Sequence, residues 1–96
     1  MKYIVILSPG ARRDIHSASD WYSGISQKLA IRFEQHVRET IITVATFPYA
    51  HLLVHQRFRQ AVVRTFPYLI YFEIRGRFVK VVALVHQRQR RPRKMT

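Results

Sequence analysis

The sequence contains no cysteine, only three glycines and only five acidic residues among 96. Without cysteine there are no disulfides, zinc-thiolate sites or thiol nucleophiles. Because a secreted domain of this size usually needs such cross-links, an intracellular, cytoplasmic location is expected. The apolar run near the N-terminus, YIVIL, is too short for the hydrophobic region of a signal peptide or for a membrane span, so no membrane contact is expected.

The scarcity of acidic residues and glycines excludes several classes of enzyme. The acidic residues are Asp14, Asp20, Glu34, Glu39 and Glu73. All but Glu73 fall in predicted helices, where solvated positions are expected, so the paired carboxylates of a two-metal or glycosidase site are not indicated. Neither GxGxxG nor GxxxxGKS occurs, so the sequence has no nucleotide-binding loop.

The five histidines do not predict a metal site, and no cofactor is expected. They are His16, His36, His51, His55 and His86. His51 and His55 have i, i+4 spacing, but no predicted helix or nearby carboxylate accompanies them, so ordinary surface positions are expected. His86 differs because it ends an apolar run beside arginines. A functional role and a hydrogen bond to the backbone fit its position equally well.

Positive charge is abundant and unevenly distributed. Seventeen lysines and arginines give a formal net charge of +12. Residues 1–50 carry six basic and four acidic side chains, whereas residues 51–96 carry eleven basic and one acidic. A polyanionic partner is therefore predicted, either a nucleic acid or an acidic protein. The alternative is a basic surface that serves only solubility.

The N-terminal half predicts a strand and two helices. The strand KYIVILS ends at Ser8 and Pro9, an N-cap and a first helical residue. The apolar stripe of the first helix consists of Ala11, Ile15, Ala18 and Tyr22, before a break at Gly24. Ser26 caps the second helix, which Pro48 ends, and its stripe consists of Leu29, Phe33, Val37, Ile41, Val44 and Ala45.

The C-terminal half predicts three strands after a connector of undefined shape. They cover FRQAVVRTF, YLIYFEI and RFVKVVALVH, with a turn at Pro67 and a two-residue turn at Arg75 and Gly76. In the last strand Val79, Val81, Ala83 and Val85 are expected on one face. The predicted fold is α+β, β-α-α-β-β-β, with a helical hairpin on a four-stranded, antiparallel-rich sheet. Residues 1–87 form the single domain, and residues 88–96 form a basic, flexible tail.

Six arginines and one aromatic pair are the candidate binding residues. The arginines Arg57, Arg59, Arg64, Arg88, Arg90 and Arg91 would form one cluster if the strand from residue 57 lay near the last strand. Such a cluster suits phosphate binding or the stabilisation of a phosphorane-like transition state, and the alternative is a set of unrelated solvated arginines. Trp21 and Tyr22 fit either core packing or the docking of a partner.

Four stretches together resemble the RelE/ParE superfamily of bacterial type II toxin-antitoxin toxins. They are PGARRDIHSASDWY at the first helix, FPYLIYFEI, the following turn, and VVALVHQRQRRP. The sequence is most similar to the ParE-like, plasmid stabilisation branch. This resemblance implies the same order of elements and a growth-inhibiting toxin. It also implies an acidic antitoxin, encoded alongside, which would bind along the helical hairpin and sheet and mask the basic face. Trp21 and Tyr22 on the hairpin are its candidate contacts.

Two targets follow from the resemblance. RelE-type toxins cleave mRNA on the ribosome without a metal, and here Arg59, Arg64, His86 and Arg88 would be the catalytic residues. ParE-type toxins poison DNA gyrase and need no catalytic residues. The lysine pair and the C-terminal tyrosine of RelE are missing here, so gyrase inhibition is the preferred expectation and mRNA cleavage the alternative. A third reading is a non-toxic nucleic-acid-binding module.

Overall fold

The computed structural model describes residues 3–89, in which two helices pack on a five-stranded sheet. The elements are β1 (Ile4–Leu7), α1 (Pro9–Ser23), α2 (Gln27–Thr46), a 3-10 turn (Pro48–Ala50), β2 (Leu52–His55), β3 (Phe58–Val62), β4 (Tyr68–Arg75), β5 (Phe78–His86) and a second 3-10 turn (Gln87–Gln89). The predicted flexible tail lies, from residue 90 onward, outside the described residues.

Both helices begin at the serines that the sequence indicates. The Ser8 side chain accepts a hydrogen bond from the Ala11 N–H, and Pro9 occupies the first helical position. The Ser26 side chain accepts from the Leu29 N–H in the same way. These contacts satisfy N–H groups that have no partner within the helix. The helical hairpin is therefore confirmed, with Gly24 at the end of α1.

The sheet has the strand order β1-β5-β4-β3-β2, with β1 parallel to β5 and all other pairs antiparallel. The expectation of four strands is wrong by one, because the connector contributes β2 at the sheet edge. A turn at Gln56 and Arg57 joins β2 to β3, and it contains no glycine, although Gln56 has a φ of 51°. Because two-residue hairpin turns usually contain glycine or asparagine, the sequence pattern did not indicate the hairpin of β2 and β3.

A β-bulge in β5 changes which residues share a face. Tyr71 pairs with Ala83 and Phe72 with Val81, so Val82 is the extra residue. The expectation that Val79, Val81, Ala83 and Val85 share one face of the sheet is therefore wrong beyond the bulge. Val79 and Val81 pack into the helix-side core, whereas Ala83 and Val85 pack on the opposite face.

The turn between β4 and β5 lies one residue later than expected. Arg75 pairs with Phe78, so the two turn residues are Gly76 and Arg77. Gly76 has a φ of 57°, which a glycine adopts without steric cost.

Where β1 ends, helix α1 and its N-cap residue supply hydrogen-bond partners for the edge of β5. Pairing between the two strands stops at Leu7 and Val81. Beyond that point the Ser8 hydroxyl donates to the Val82 carbonyl oxygen at 3.2 Å, and the Leu84 N–H donates to Asp14 Oδ2 at 3.1 Å. These backbone groups of β5 lie beyond the β1 pairing, and Ser8 and α1 supply their hydrogen-bond partners.

The main core lies between the helices and the sheet, and a smaller cluster lies on the opposite sheet face. Aromatic rings fill the centre of the main core, where Tyr22 lies 5.1 Å from both Phe33 and Phe66. Burial and the neighbouring Tyr68 raise the pKa of the Tyr22 phenol. The second cluster consists of Phe58, Leu69, Tyr71, Ala83 and Val85. Within residues 3–89, no helix has the length and apolar character needed to span a bilayer.

Candidate functional site

The predicted arginine cluster does not form among the described residues, because its members have separate partners. Arg57 donates from Nε to Oε1 of Glu73 at 2.7 Å, and Arg75 donates from its own Nε to the same oxygen at 3.0 Å. Burial acts to raise the pKa of Glu73, but the hydrogen bonds and charges of Arg75 and Arg57 outweigh it and lower that pKa overall. Arg57 therefore belongs to an Arg-Glu-Arg group near the β4–β5 turn.

Arg59 lies on the helix-facing side of the sheet and contacts the connector after α2. Its guanidinium donates to the carbonyl oxygen of His51 at 2.8 Å and lies over the Tyr49 ring, 5.1 Å from the ring centre. These contacts hold the 3-10 turn against β3. Arg59 is thus engaged in packing at the β2 edge.

Arg64 lies beyond the end of β3 and contacts α2. Its guanidinium donates to Oε1 of Glu39 at 3.0 Å and lies 3.3 Å from Nε2 of His36. The other ring nitrogen of His36, Nδ1, donates to the Arg64 carbonyl oxygen at 2.7 Å. Both the backbone and the side chain of Arg64 are therefore fixed to the second helix.

His86 lies at the same end of the sheet as Arg64 but two strands away, at the C-terminal end of β5. Its Nδ1 accepts from the Arg88 N–H at 3.2 Å, and its ring lies edge-on to Tyr68 at 5.3 Å. His86 and Tyr68, together with Trp21 and Asp14, line a shallow depression of about 280 Å³. Of the candidate catalytic residues, only His86 and Arg88 are adjacent, and Arg90 and Arg91 lie outside the described residues.

The two aromatic candidates for antitoxin binding have different environments. Tyr22 is buried among the core rings, so its ring is not available to a partner. Trp21 is 63% exposed beside the His86 depression. Of the pair, only Trp21 offers a surface for docking.

A groove between the two helices is a candidate binding surface that no sequence motif indicates. Its volume is about 470 Å³, and its apolar lining comes from Leu7, Ile15, Val37, Ile41 and Ile42. Its polar lining comes from Arg12, His16, Ser19, Glu34 and Arg38, with the Ser19 hydroxyl donating to Glu34. The signal in the sequence was Ile42, an exposed apolar residue next to the buried stripe of α2.

Apolar residues are also exposed at the corner where α2 runs into β2. They are Phe47, Tyr49, Leu52, Leu53 and Val62. No three histidine, aspartate or glutamate side chains among residues 3–89 come together in a way that could hold a metal ion. The described residues thus present four surface features: the helix groove, the His86 depression, this corner and the Arg-Glu-Arg group.

Comparison with solved structures identifies the fold. A chain of the structure titled "Chromosomal ParDE TA system from P. aeruginosa" matches with a TM-score of 0.79 at 13% identity, over 88% of this chain and 96% of that chain. At that identity the likeness shows the shared fold alone. A search of the curated proteins found no match.

The sequence itself identifies the family. The family model described as "ParE toxin of type II toxin-antitoxin system, parDE" matches residues 5–91. Because this match spans most of the 96 residues, the chain belongs to the ParE toxin family.

Proposed function

We propose that this ParE-type toxin stops growth by binding DNA gyrase, and that a cognate acidic antitoxin neutralises it. The observation that carries the choice of target is the dispersal of the candidate catalytic residues. Arg59, Arg64 and His86 have separate partners, in the connector after α2, on α2 and in the second 3-10 turn respectively. A phosphoryl-transfer site needs its acid, base and cationic groups around one reacting phosphate.

The sheet geometry supports the same choice. Arg59 pairs with Phe72, which pairs with Val81. His86 is five residues further along β5, roughly 15 Å at the usual rise per residue, and β4 lies between β3 and β5. Inhibition through binding requires no such convergence, so the observed arrangement favours a gyrase-binding toxin over a ribonuclease.

The helix groove supports an antitoxin as the other partner. Its apolar lining is the kind of surface that an amphipathic helix covers, and Arg12 and Arg38 at its rim would pair with acidic side chains. The net charge of +12 favours rapid association with an acidic protein. Trp21 extends the same helical hairpin and is a second contact in this proposal.

The target is tested with purified components. The toxin is added to gyrase, ATP and relaxed plasmid, and in parallel to a translating extract with a defined mRNA. We expect loss of supercoiling or trapped, cleaved plasmid in the first reaction and intact mRNA in the second. The double variant Arg59→Ala, His86→Gln should retain the effect on gyrase. Specific mRNA fragments that disappear in this variant would establish the ribonuclease and refute gyrase as the target.

A further inference from the structure

Glu73 is the one charged residue with a buried side chain in the sheet, and it holds two arginines. It is 4% exposed, and a single oxygen, Oε1, accepts from the Nε atoms of Arg57 and Arg75. Both arginine side chains are more than half exposed. We call Arg57, Glu73 and Arg75 the arginine clamp.

The clamp leaves the binding ends of both guanidinium groups open. Each arginine uses Nε for Glu73, and within residues 3–89 no hydrogen bond is formed by their terminal nitrogens. The Arg57 guanidinium also lies over the Phe58 ring, 4.8 Å from the ring centre, which further restricts it. A guanidinium fixed at Nε still presents two terminal amino groups, which is the fork that binds an anion with two hydrogen bonds.

The clamp lies on the sheet face that points away from the helices. Glu73 pairs with Phe58 on one side and with Lys80 on the other. Phe58 belongs to the cluster opposite the helices, together with Tyr71. In contrast, Phe72, the neighbour of Glu73 along β4, belongs to the helix-side core. Alternation along the strand therefore places Glu73 on the outer face.

The charge of this outer face is almost entirely positive. The other four acidic residues, Asp14, Asp20, Glu34 and Glu39, all lie on α1 and α2. Glu73 is already paired with two cations, and Lys80 and Arg77 lie beside it on β5 and in the adjoining turn. Within residues 3–89, the clamp thus has an unbalanced positive charge with no free carboxylate on its own face.

We propose that the arginine clamp binds the phosphodiester backbone of a nucleic acid. The two guanidinium groups take one phosphate, and Lys80 lies one strand further along for the next. Arg57 immediately precedes β3, Arg75 ends β4 and Lys80 lies in β5, and neighbouring strands of the sheet are about 5 Å apart. This row of cations suits the regularly spaced charges of a nucleic-acid backbone. The exposed ring of Phe78, which pairs with Arg75, adds an aromatic surface on which a base can stack.

Glu73 is a positioning residue in this proposal. By holding both Nε atoms it orders two long side chains before the ligand arrives, so less conformational entropy is lost on binding. This role separates the clamp from a merely basic surface. Removal of a negative charge strengthens binding to a diffuse positive surface, but removal of Glu73 weakens binding to a clamp.

The test measures binding of the purified toxin to a fluorescent 20-base-pair DNA duplex by anisotropy at several salt concentrations. Arg57→Ala and Arg75→Ala should each weaken binding about tenfold at low salt and reduce the slope of log K against log salt by about one. Arg12→Ala removes the same charge from α1 and should change binding less than twofold. Circular dichroism checks that each variant is folded.

Glu73→Leu gives the discriminating result. Because both arginine side chains are more than half exposed, loss of Glu73 leaves no buried unpaired charge and should preserve the fold. DNA binding should fall several-fold although the net charge rises. Equal effects of the Arg57, Arg75 and Arg12 variants, or tighter binding by Glu73→Leu, would overturn the proposal. So would displacement of the DNA by polyglutamate at lower charge concentration than by unlabelled DNA, since the clamp would then be a site for acidic peptides. The assay contains no gyrase, so its outcome is independent of the proposed target.

Discussion

Two residues with left-handed backbone geometry stand at the two ends of β3. Gln56, before the strand, has a φ of 51°, and Thr65, after it, has a φ of 75°. Thr65 is the less favourable of the two because its side chain is β-branched, and this geometry costs a non-glycine residue about 1–2 kcal/mol. The turn that presents Arg64 to α2 therefore stores strain.

Replacement of Thr65 by asparagine should relieve part of that strain. Asparagine tolerates positive φ better than a β-branched residue, and the Thr65 side chain is exposed. We expect the free energy of unfolding in urea to rise by about 0.5–1 kcal/mol. Thr43→Asn, on the exposed side of α2, is the control and should change it by less than about 0.5 kcal/mol. A destabilised Thr65→Asn protein would show that the threonine has a compensating contact.

Glu73 makes the stability of the fold dependent on acid pH. Because its folded-state pKa lies below the ordinary value of 4.5, its ion pairs stabilise the native state above that pH. The contribution disappears as the pH falls from about 4.5 through the folded-state pKa. Urea unfolding of the wild type at pH 6 and at pH 3 should show this loss.

The comparison variant for this effect is Glu73→Gln, which cannot titrate at that position. It should be less stable than the wild type at pH 6, and the difference between the two proteins should shrink at pH 3. Other carboxylates titrate in both proteins, so only the difference between them reports on Glu73. An unchanged difference between pH 6 and pH 3 would contradict the assignment.

At the scale of elements, the junction of α1 with β5 is held by hydrogen bonds as well as by packing. The bulge at Val82 interrupts the ladder, and β1 is too short to cover the rest of the β5 edge. Ser8 and Asp14 satisfy backbone groups there that would otherwise lack partners. Such groups cost about 1–3 kcal/mol when they are left unsatisfied in a buried position.

Asp14→Ala should therefore destabilise the protein by about 1–2 kcal/mol, because the Leu84 N–H loses a charged acceptor. Asp20→Ala is the matched control on the same helix. Among residues 3–89, the Asp20 side chain contacts only the exposed His16, at 3.2 Å, so its replacement should cost less than about 0.5 kcal/mol. Thermal unfolding of the three proteins side by side measures both effects, and equal destabilisation would show that the contact of Asp14 with β5 contributes little.

Most elements could be predicted from local signals, and the exceptions have physical causes. Ser8, Pro9 and Ser26 define both helix starts because caps act within one turn. The bulge at Val82 could not be read from β5 alone, since it depends on the register with β4. Strand β2 was missed because it is four residues long and its turn lacks glycine.

At the scale of the whole molecule, charge is separated between two faces. Every acidic residue except Glu73 lies on the helices, and the outer sheet face carries the arginine clamp. The helix groove and the clamp thus lie on opposite sides of the sheet. A protein partner in the groove and an anionic partner at the clamp do not compete for the same surface.

The groove is tested by placing a charge in it. Ile42 is 54% exposed and lines the groove, whereas Ile31 is 50% exposed on the same helix and does not line it. Ile42→Asp should weaken binding of the cognate antitoxin at least tenfold by calorimetry, because a carboxylate would enter an apolar contact facing acidic side chains. Ile31→Asp should have little effect, and equal losses would place the antitoxin elsewhere.

The candidate sites were harder to predict than the fold. The resemblance gave the family, but spacing alone joined arginines that the structure separates. Arg57 and Arg64 are directed by Glu73 and Glu39, which are 16 and 25 residues away in the chain. Each of these two guanidinium groups binds a carboxylate that is near in space. The packing of helix and sheet, rather than strand alternation, decides which carboxylate that is.

The pairing of β1 with β5 also bears on when the protein can fold. Ile4 finds its partner at Phe78, and Ser8 finds Val82 74 positions later. Strand β1 thus has no place in the sheet until β5 has been made, and contacts between such distant residues form slowly. A chain that ends before residue 78 lacks the strand that both β1 and β4 require. For a toxin, the folded state is therefore restricted to chains in which β5 has already been made.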